Sequence, residues 1–284
     1  MLSMSLDIRE SEFDVMTLYG AHNNERNIDR RPLTSGTVQI ESLRGTSSPH
    51  QSPFMALLRK ETFGHRDADN SSLGDWFVDR RKLPHGLSEL AKEIHKRGMK
   101  FGLWFEPEMI STDSGLFRKH PDYVLHTEGR LYTIGRGQLV LDLSRKDVCD
   151  YVIKSVSDVL KSTKIDYVKW DMNRHLTDAG SVVFSADQQG EIMHRYVLGL
   201  YRIMEEITEE FPDILFESCS SGGGRFDPGM LYYMPQTWCS DNTDAVCRMK
   251  IQYATSLMYP AVTMGAHVSV IPNQQTGRVT PLDT

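Results

Sequence analysis

The sequence predicts an α/β fold, a (β/α)8 TIM barrel short of two strands, and three observations carry that expectation. Apolar helical stripes alternate with short apolar runs from about residue 86 onward, the rhythm that builds a parallel sheet. Polar or glycine-rich clusters stand at the carboxyl end of almost every run, the face on which such barrels carry their sites. Six barrel-type strands can be counted, starting near 100, 139, 166, 214, 236 and 261, whereas a closed barrel has eight. A doubly wound open sheet is the alternative that the same alternation allows.

Taken in order, residues 1–60 read as part of an all-β module, with strand-like pieces at 13–18 and 36–40 and an exposed loop over 44–53; residues 61–284 form the barrel. The spacing of Leu87, Leu90, Ala91 and Ile94 predicts a helix over 86–97 that stops at Gly98. A buried strand over 100–105 ends in Glu106-Pro-Glu108. Then come a strand at 139–143, a helix at 146–160, a strand at 166–171, a helix at 191–210 and a strand at 214–217. The series closes with strands at 236–241 and 261–265 around a helix at 245–258.

Composition narrows the function. With 284 residues, 39% apolar and 25% charged, the chain has the make-up of an ordinary globular protein with a core that needs no staple. A formal net charge of −6 argues against a nucleic acid or an anionic membrane as partner. The first sixteen residues lack a basic start followed by an apolar run, so a cytoplasmic location is expected. No apolar stretch approaches the ~20 residues that span a bilayer. Cys149, Cys219, Cys239 and Cys247 lack paired spacing and are expected to be reduced thiols. The loop His65-Arg-Asp-Ala-Asp-Asn70 lacks the glycine and later glutamate of a calcium loop, and His85, His95, His120 and His267 show no ligand spacing. No metal and no cofactor are expected.

The candidates for chemistry lie at strand ends. Asp171 and Asp241 each follow an apolar strand beside an indole, an arrangement suited to two carboxylates acting on one glycosidic bond. Capping a following helix is the other use of an aspartate there. Lys169, two residues before Asp171, points to the same face. Inside a barrel it would need a carboxylate or a polar ligand to offset its burial. Trp104, Trp170 and Trp238 suit sugar C–H faces, or else the core. The run Cys219-Ser-Ser-Gly-Gly-Gly-Arg-Phe-Asp227 lacks the Gly-Lys-[Ser/Thr] of a phosphate loop; close backbone approach, or a turn, is the better use of its glycines.

Several motifs occur together in a fixed order: Leu73-Gly-Asp-Trp76, Phe101-Gly-Leu-Trp-Phe-Glu-Pro-Glu-Met109, Lys169-Trp-Asp-Met-Asn-Arg174, the Cys219 run, Ser240-Asp-Asn-Thr-Asp244 and Pro272-Asn-Gln-Gln-Thr-Gly-Arg278. Together they resemble the signature of glycoside hydrolase family 36 α-galactosidases over residues 63–284, while residues 1–60 resemble a piece of that family's amino-terminal β-sandwich. The resemblance implies retaining hydrolysis of terminal α-D-galactosyl residues in melibiose- and raffinose-type oligosaccharides. It implies Asp171 as nucleophile and Asp241 as acid/base, with galactose contacts from Trp104, Arg136, Lys169, Trp170, Asn173, Cys219, Gly222 and Trp238. Cys219 and the glycine backbone would crowd an N-acetyl group at C2, which favours galactose. Homo-oligomers are common among similar enzymes.

One departure stands beside this match. The family's Asp-Asp-Gly-Trp strand end is absent, and Arg59-Lys-Glu-Thr62 directly precedes Phe63-Gly64. By the resemblance the first and last barrel strands are the two missing ones, so poor solubility and weak or absent turnover are expected. A catalytically silent sugar-binding fragment and galactosyl transfer of the raffinose-synthase type are the rival readings.

Overall fold

Apolar runs of two to six residues pair side by side to form the frame of the molecule. The computed structural model describes residues 13–17, 54–58, 62–68, 70–265, 269 and 271–280. Its strands are β1 (Phe13–Thr17), β2 (Phe54–Leu58), β3 (Lys100–Phe105), β4 (Met109–Ile110), β5 (Leu139–Val140), β6 (Tyr167–Asp171), β7 (Leu215–Cys219) and β8 (Gln236–Thr237). Its helices are α1 (Gly86–Lys96), α2 (Gly115–Lys119), α3 (Lys146–Lys161), α4 (Ile192–Glu210), α5 (Pro228–Tyr233) and α6 (Ala245–Ser256). The main sheet runs β1-β2-β3-β6-β7-β8, with every pair parallel except β1 with β2.

The two faces of this sheet differ, and the difference selects a barrel over an open sheet. Phe101, Leu103, Phe105, Val168, Trp170 and Phe216 point outward into the large core, where they meet Leu90 and Ile94 of α1, Val152 and Val156 of α3, and Ile203 of α4. The inward face holds a separate small cluster, Leu57 and Tyr167 with Trp104 and Leu215, to which no helix contributes among the described residues. A doubly wound sheet would carry helices on both faces. Above that cluster the inward face turns polar, and there the candidate site lies.

The helices over 86–97, 146–160 and 191–210 form where their apolar stripes predict. Three differences are seen. Leu139 and Val140 pair antiparallel with Ile110 and Met109, outside the main sheet; a two-residue apolar run has too little periodicity to reveal its partner. Residues 261–263 form a 3-10 turn rather than a strand, touching β8 through a single parallel bridge from Met264 to Thr237. The strand expected over 236–241 is regular only at 236–237, with one further bond from the Trp238 amide to the Ser218 carbonyl at 2.9 Å. A further parallel strand comes from Phe-Met-Ala-Leu-Leu at 54–58, which aligns with 100–103 of β3 although its position in the chain assigns it to the all-β module. The piece at 36–40 and the loop at 44–53 lie outside the described residues.

The four cysteines are free thiols. Among the described residues no helix is long and apolar enough to cross a membrane.

Candidate active site

The alternation of β6 places Tyr167, Lys169 and Asp171 on the inward face, one above the other. Neighbouring strands supply partners at each level. Trp104 of β3, Lys169, Glu217 of β7 and Gln236 of β8 stand in register across four strands, and Asp171 stands beside Cys219 one level higher.

Asp171 is buried, and three donors fix its carboxylate. Oδ2 accepts from Trp104 Nε1 at 3.0 Å and from Asn173 Nδ2 at 2.7 Å, while Oδ1 accepts from the Met172 amide at 3.0 Å. Asn173 is held in turn, its amide donating to Glu106 Oε1 at 3.1 Å and its Oδ1 accepting from Ser221 Oγ at 3.2 Å. Arg136 reaches the Asn173 carbonyl at 3.5 Å from an exposed turn, where its own backbone adopts a left-handed φ of 53°. Residues in that region are uncommon and concentrate at functional sites.

Lys169 has the carboxylate partner that its burial requires. Its Nζ donates to Glu217 Oε1 at 2.9 Å and lies 4.4 Å from the Trp238 ring centre and 5.5 Å from that of Trp104. Burial acts to lower the ammonium; Glu217, with Cys219 and Asp171, outweighs it and raises Lys169 to about 12. Cys219 sits beside both groups, and burial pushes its thiol far above the usual range.

Asp241 is exposed, and the structure ties it down from three sides. Trp238 Nε1 donates to its Oδ1 at 3.1 Å, and Gln275 Nε2 donates to its main-chain carbonyl at 2.5 Å. Gly222, at φ 90°, presses on it from the third side; a Cβ there would stand 2.7 Å from Ser240 Cα and 3.0 Å from the Asp241 amide. The close approach that the glycine run provides is thus to the loop carrying Asp241. Because that run begins at Cys219, beside Asp171, it joins the two carboxylates along one rim. Neither carboxylate caps a helix: Asp244 caps α6, accepting from Cys247 N at 2.9 Å.

Trp170 does not belong with these residues. One step out of phase with Lys169 and Asp171, it faces the helices, is 0% exposed and donates from Nε1 to Glu108 Oε1 at 2.9 Å. It cannot line a sugar pocket. Glu108 also accepts from Tyr196 OH at 2.6 Å and from Arg225 at 2.9 Å, tying α4 and the glycine run to the back of β6. Glu106, Glu108 and Glu217, all fully buried, are the functional residues that sequence reasoning missed. Their signal was an acidic side chain inside or directly after an apolar strand, where only paired carboxylates persist. Among the described residues no three His, Cys, Asp or Glu side chains converge to hold a metal.

Fold and site together define a barrel-type α/β domain with two carboxylates on one rim. The melibiase family model matches residues 55–284, and the glycosyl hydrolase family 36 N-terminal domain model matches residues 1–68. The chain belongs to the melibiase family. It is 65% identical over 230 residues to alpha-galactosidase AgaA of Geobacillus stearothermophilus, covering 81% of this chain and 32% of that protein. It is 56% identical to alpha-galactosidase Mel36A of Lactobacillus acidophilus, covering 81% and 31%. The AgaA crystal structure superposes with a TM-score of 0.79 over 81% of this chain and 32% of its own. A variant of AgaA in complex with raffinose superposes with a TM-score of 0.78 at 63% identity, covering 80% and 32%. The chain therefore spans about a third of the length of the relatives it matches.

Proposed function

We propose that the chain carries the catalytic centre of a retaining α-galactosidase acting on raffinose-type oligosaccharides. The observation that carries this reading is the buried Asp171 carboxylate, aimed by Trp104, Asn173 and the Met172 amide, with Lys169 beside it and the exposed Asp241 on the same rim. Oδ2 already accepts two hydrogen bonds and Oδ1 one, so Oδ1 keeps the free lone pair for attack. In the first step Oδ1 bonds to C1 of the galactosyl ring while Asp241 gives its proton to the departing glycosidic oxygen. In the second, Asp241 takes a proton from water, whose oxygen displaces Asp171 from C1 and releases galactose with its α configuration. Trp104 and Trp238 offer apolar faces to the ring, and Lys169, Asn173 and Cys219 face its hydroxyls.

The direct test is hydrolysis of p-nitrophenyl α-galactoside by the purified chain beside its Asp171→Ala and Asp241→Ala variants, with galactose binding measured in parallel. Turnover that both variants lose supports the reading. Galactose binding without turnover by the folded wild-type chain would replace it with a sugar-binding role, and absence of both would end it.

A further inference from the structure

The Glu217 carboxylate is a fully enclosed charge next to the site. It is 0% exposed, and both of its oxygens are engaged: Oε1 accepts from Lys169 Nζ at 2.9 Å and Oε2 from Gln236 Nε2 at 2.7 Å. Gly265 closes the remaining side, since a Cβ at that position would stand 2.8 Å from Oε2 and 3.2 Å from Trp238 Cε3. No substrate atom can reach this carboxylate. Lys169, one strand away in register, has three N–H donors and gives one to Glu217. Its Nζ lies 4.4 Å from the Trp238 ring centre and 5.5 Å from that of Trp104, and Asp171 stands two residues further along the same face of β6.

We propose that Glu217 is a positioning residue: it fixes the Lys169 ammonium at the open end of the sheet beside Asp171, where a galactose hydroxyl accepts from it. The role of Lys169 toward sugar rests on the α-galactosidase reading above; its dependence on Glu217 does not. Glu217 acts through charge as well as geometry. A lone buried ammonium is driven toward its neutral form, and a neutral amine bonds a hydroxyl more weakly than a cation does. The other titratable groups that act on Lys169 are Asp171 and Cys219. Glu217 also acts on Tyr167 below it and on Cys239 and Arg248 from the β8 side. Cys219 is held as a neutral thiol, so with Glu217 neutralised Asp171 remains as the anion that acts on Lys169.

The test is a double-substitution cycle on the full chain with two readouts. The first is the pH titration of the Lys169 13Cε resonance, identified by its loss in Lys169→Met. In Glu217→Gln, which keeps the shape and the Gln236 contact region, the Lys169 titration should move down by about 2 pH units. An unmoved titration overturns the proposal whether or not the chain binds sugar. The second readout is galactose affinity. Glu217→Gln should weaken it severalfold at pH 7 through lost geometry and further by about pH 10, where the downshifted Lys169 is about half neutral, while adding Glu217→Gln to Lys169→Met should change nothing further. Additive losses would mean that Glu217 acts on the sugar by another route and would overturn the proposal. If the wild type binds no galactose, the α-galactosidase reading fails there, and the resonance still decides whether Glu217 governs Lys169.

Discussion

Trp104 Nε1 and Asp171 Oδ2 are joined by a 3.0 Å hydrogen bond that crosses from β3 to β6. A carboxylate about to attack must be held in one orientation, and this indole supplies one of the three donors that hold it. Trp104→Phe keeps an aromatic ring, removes the donor and trims the ring face that packs near Lys169. The expected loss is about 1 kcal/mol of transition-state stabilisation, or roughly five- to tenfold in kcat/KM. Kinetics with p-nitrophenyl α-galactoside check it, with the thermal midpoint as a control that should move by no more than a few degrees.

Glu108 and Trp170 form the back wall of the same strand. Glu108→Ala would strand the indole, the Tyr196 hydroxyl and the Arg225 guanidinium without their shared acceptor. Removing one member of a buried ion pair costs about 3 kcal/mol or more, so the urea midpoint should fall sharply. Trp170→Phe removes one hydrogen bond and part of a fully buried ring and should cost about 2–4 kcal/mol. Galactose affinity should be unaltered in Trp170→Phe, because the ring faces the helices; a tenfold weakening in folded protein would show that it does contact sugar.

What the chain reveals in advance follows from how local each signal is. The stripe Leu87, Leu90, Ala91, Ile94 and the alternation Tyr167, Lys169, Asp171 are written within a few residues, so α1 and the inward face of β6 can be read directly. The same alternation sets Trp170 outward, so of the two uses open to an indole there, sugar face or core, it takes the core. The partners of the buried carboxylates are not local. Glu108 meets a tyrosine 88 residues away and an arginine 117 residues away, and only the folded chain brings them together. Lys169 lies between these cases: its need for a counter-charge follows from burial, whereas the identity of Glu217 emerges from the register of β6 with β7. Two-residue strands such as β5 and β8 carry no period at all.

Gly222→Ala tests the link along the rim. The new Cβ would overlap Ser240 Cα at 2.7 Å, from a backbone at φ 90° that alanine resists. Strain of this kind costs about 1–3 kcal/mol, and its relief requires the segment carrying Asp241 to shift. Turnover should therefore fall by more than tenfold, while chemistry that depends on Asp171 alone is spared. Trapping of a glycosyl-enzyme from an activated fluoride, which needs no proton from Asp241, distinguishes the two: it should persist in Gly222→Ala and vanish in Asp171→Ala.

Asp244 makes the anchoring of this rim dependent on pH. Its carboxylate accepts from Thr276 Oγ1 at 2.6 Å, Arg278 Nε at 2.9 Å and the Cys247 amide at 2.9 Å, so it fastens the turn carrying Gln275 to the start of α6. These bonds, the one from Thr276 largest, hold its pKa well below the ordinary value of 3.8. A carboxyl depressed on folding contributes stability that is present above its unfolded value and lost as pH falls below it. Asp244's contribution to stability should therefore begin to fall below about pH 4, and Asp244→Asn, which still caps α6, should remove Asp244's share of that acid sensitivity. Thermal midpoints from pH 3 to 7 check this: the gap between wild type and Asp244→Asn should be widest at pH 6–7 and narrow toward pH 3. A gap that stays constant over the range would mean that the charge on Asp244 does not hold the rim.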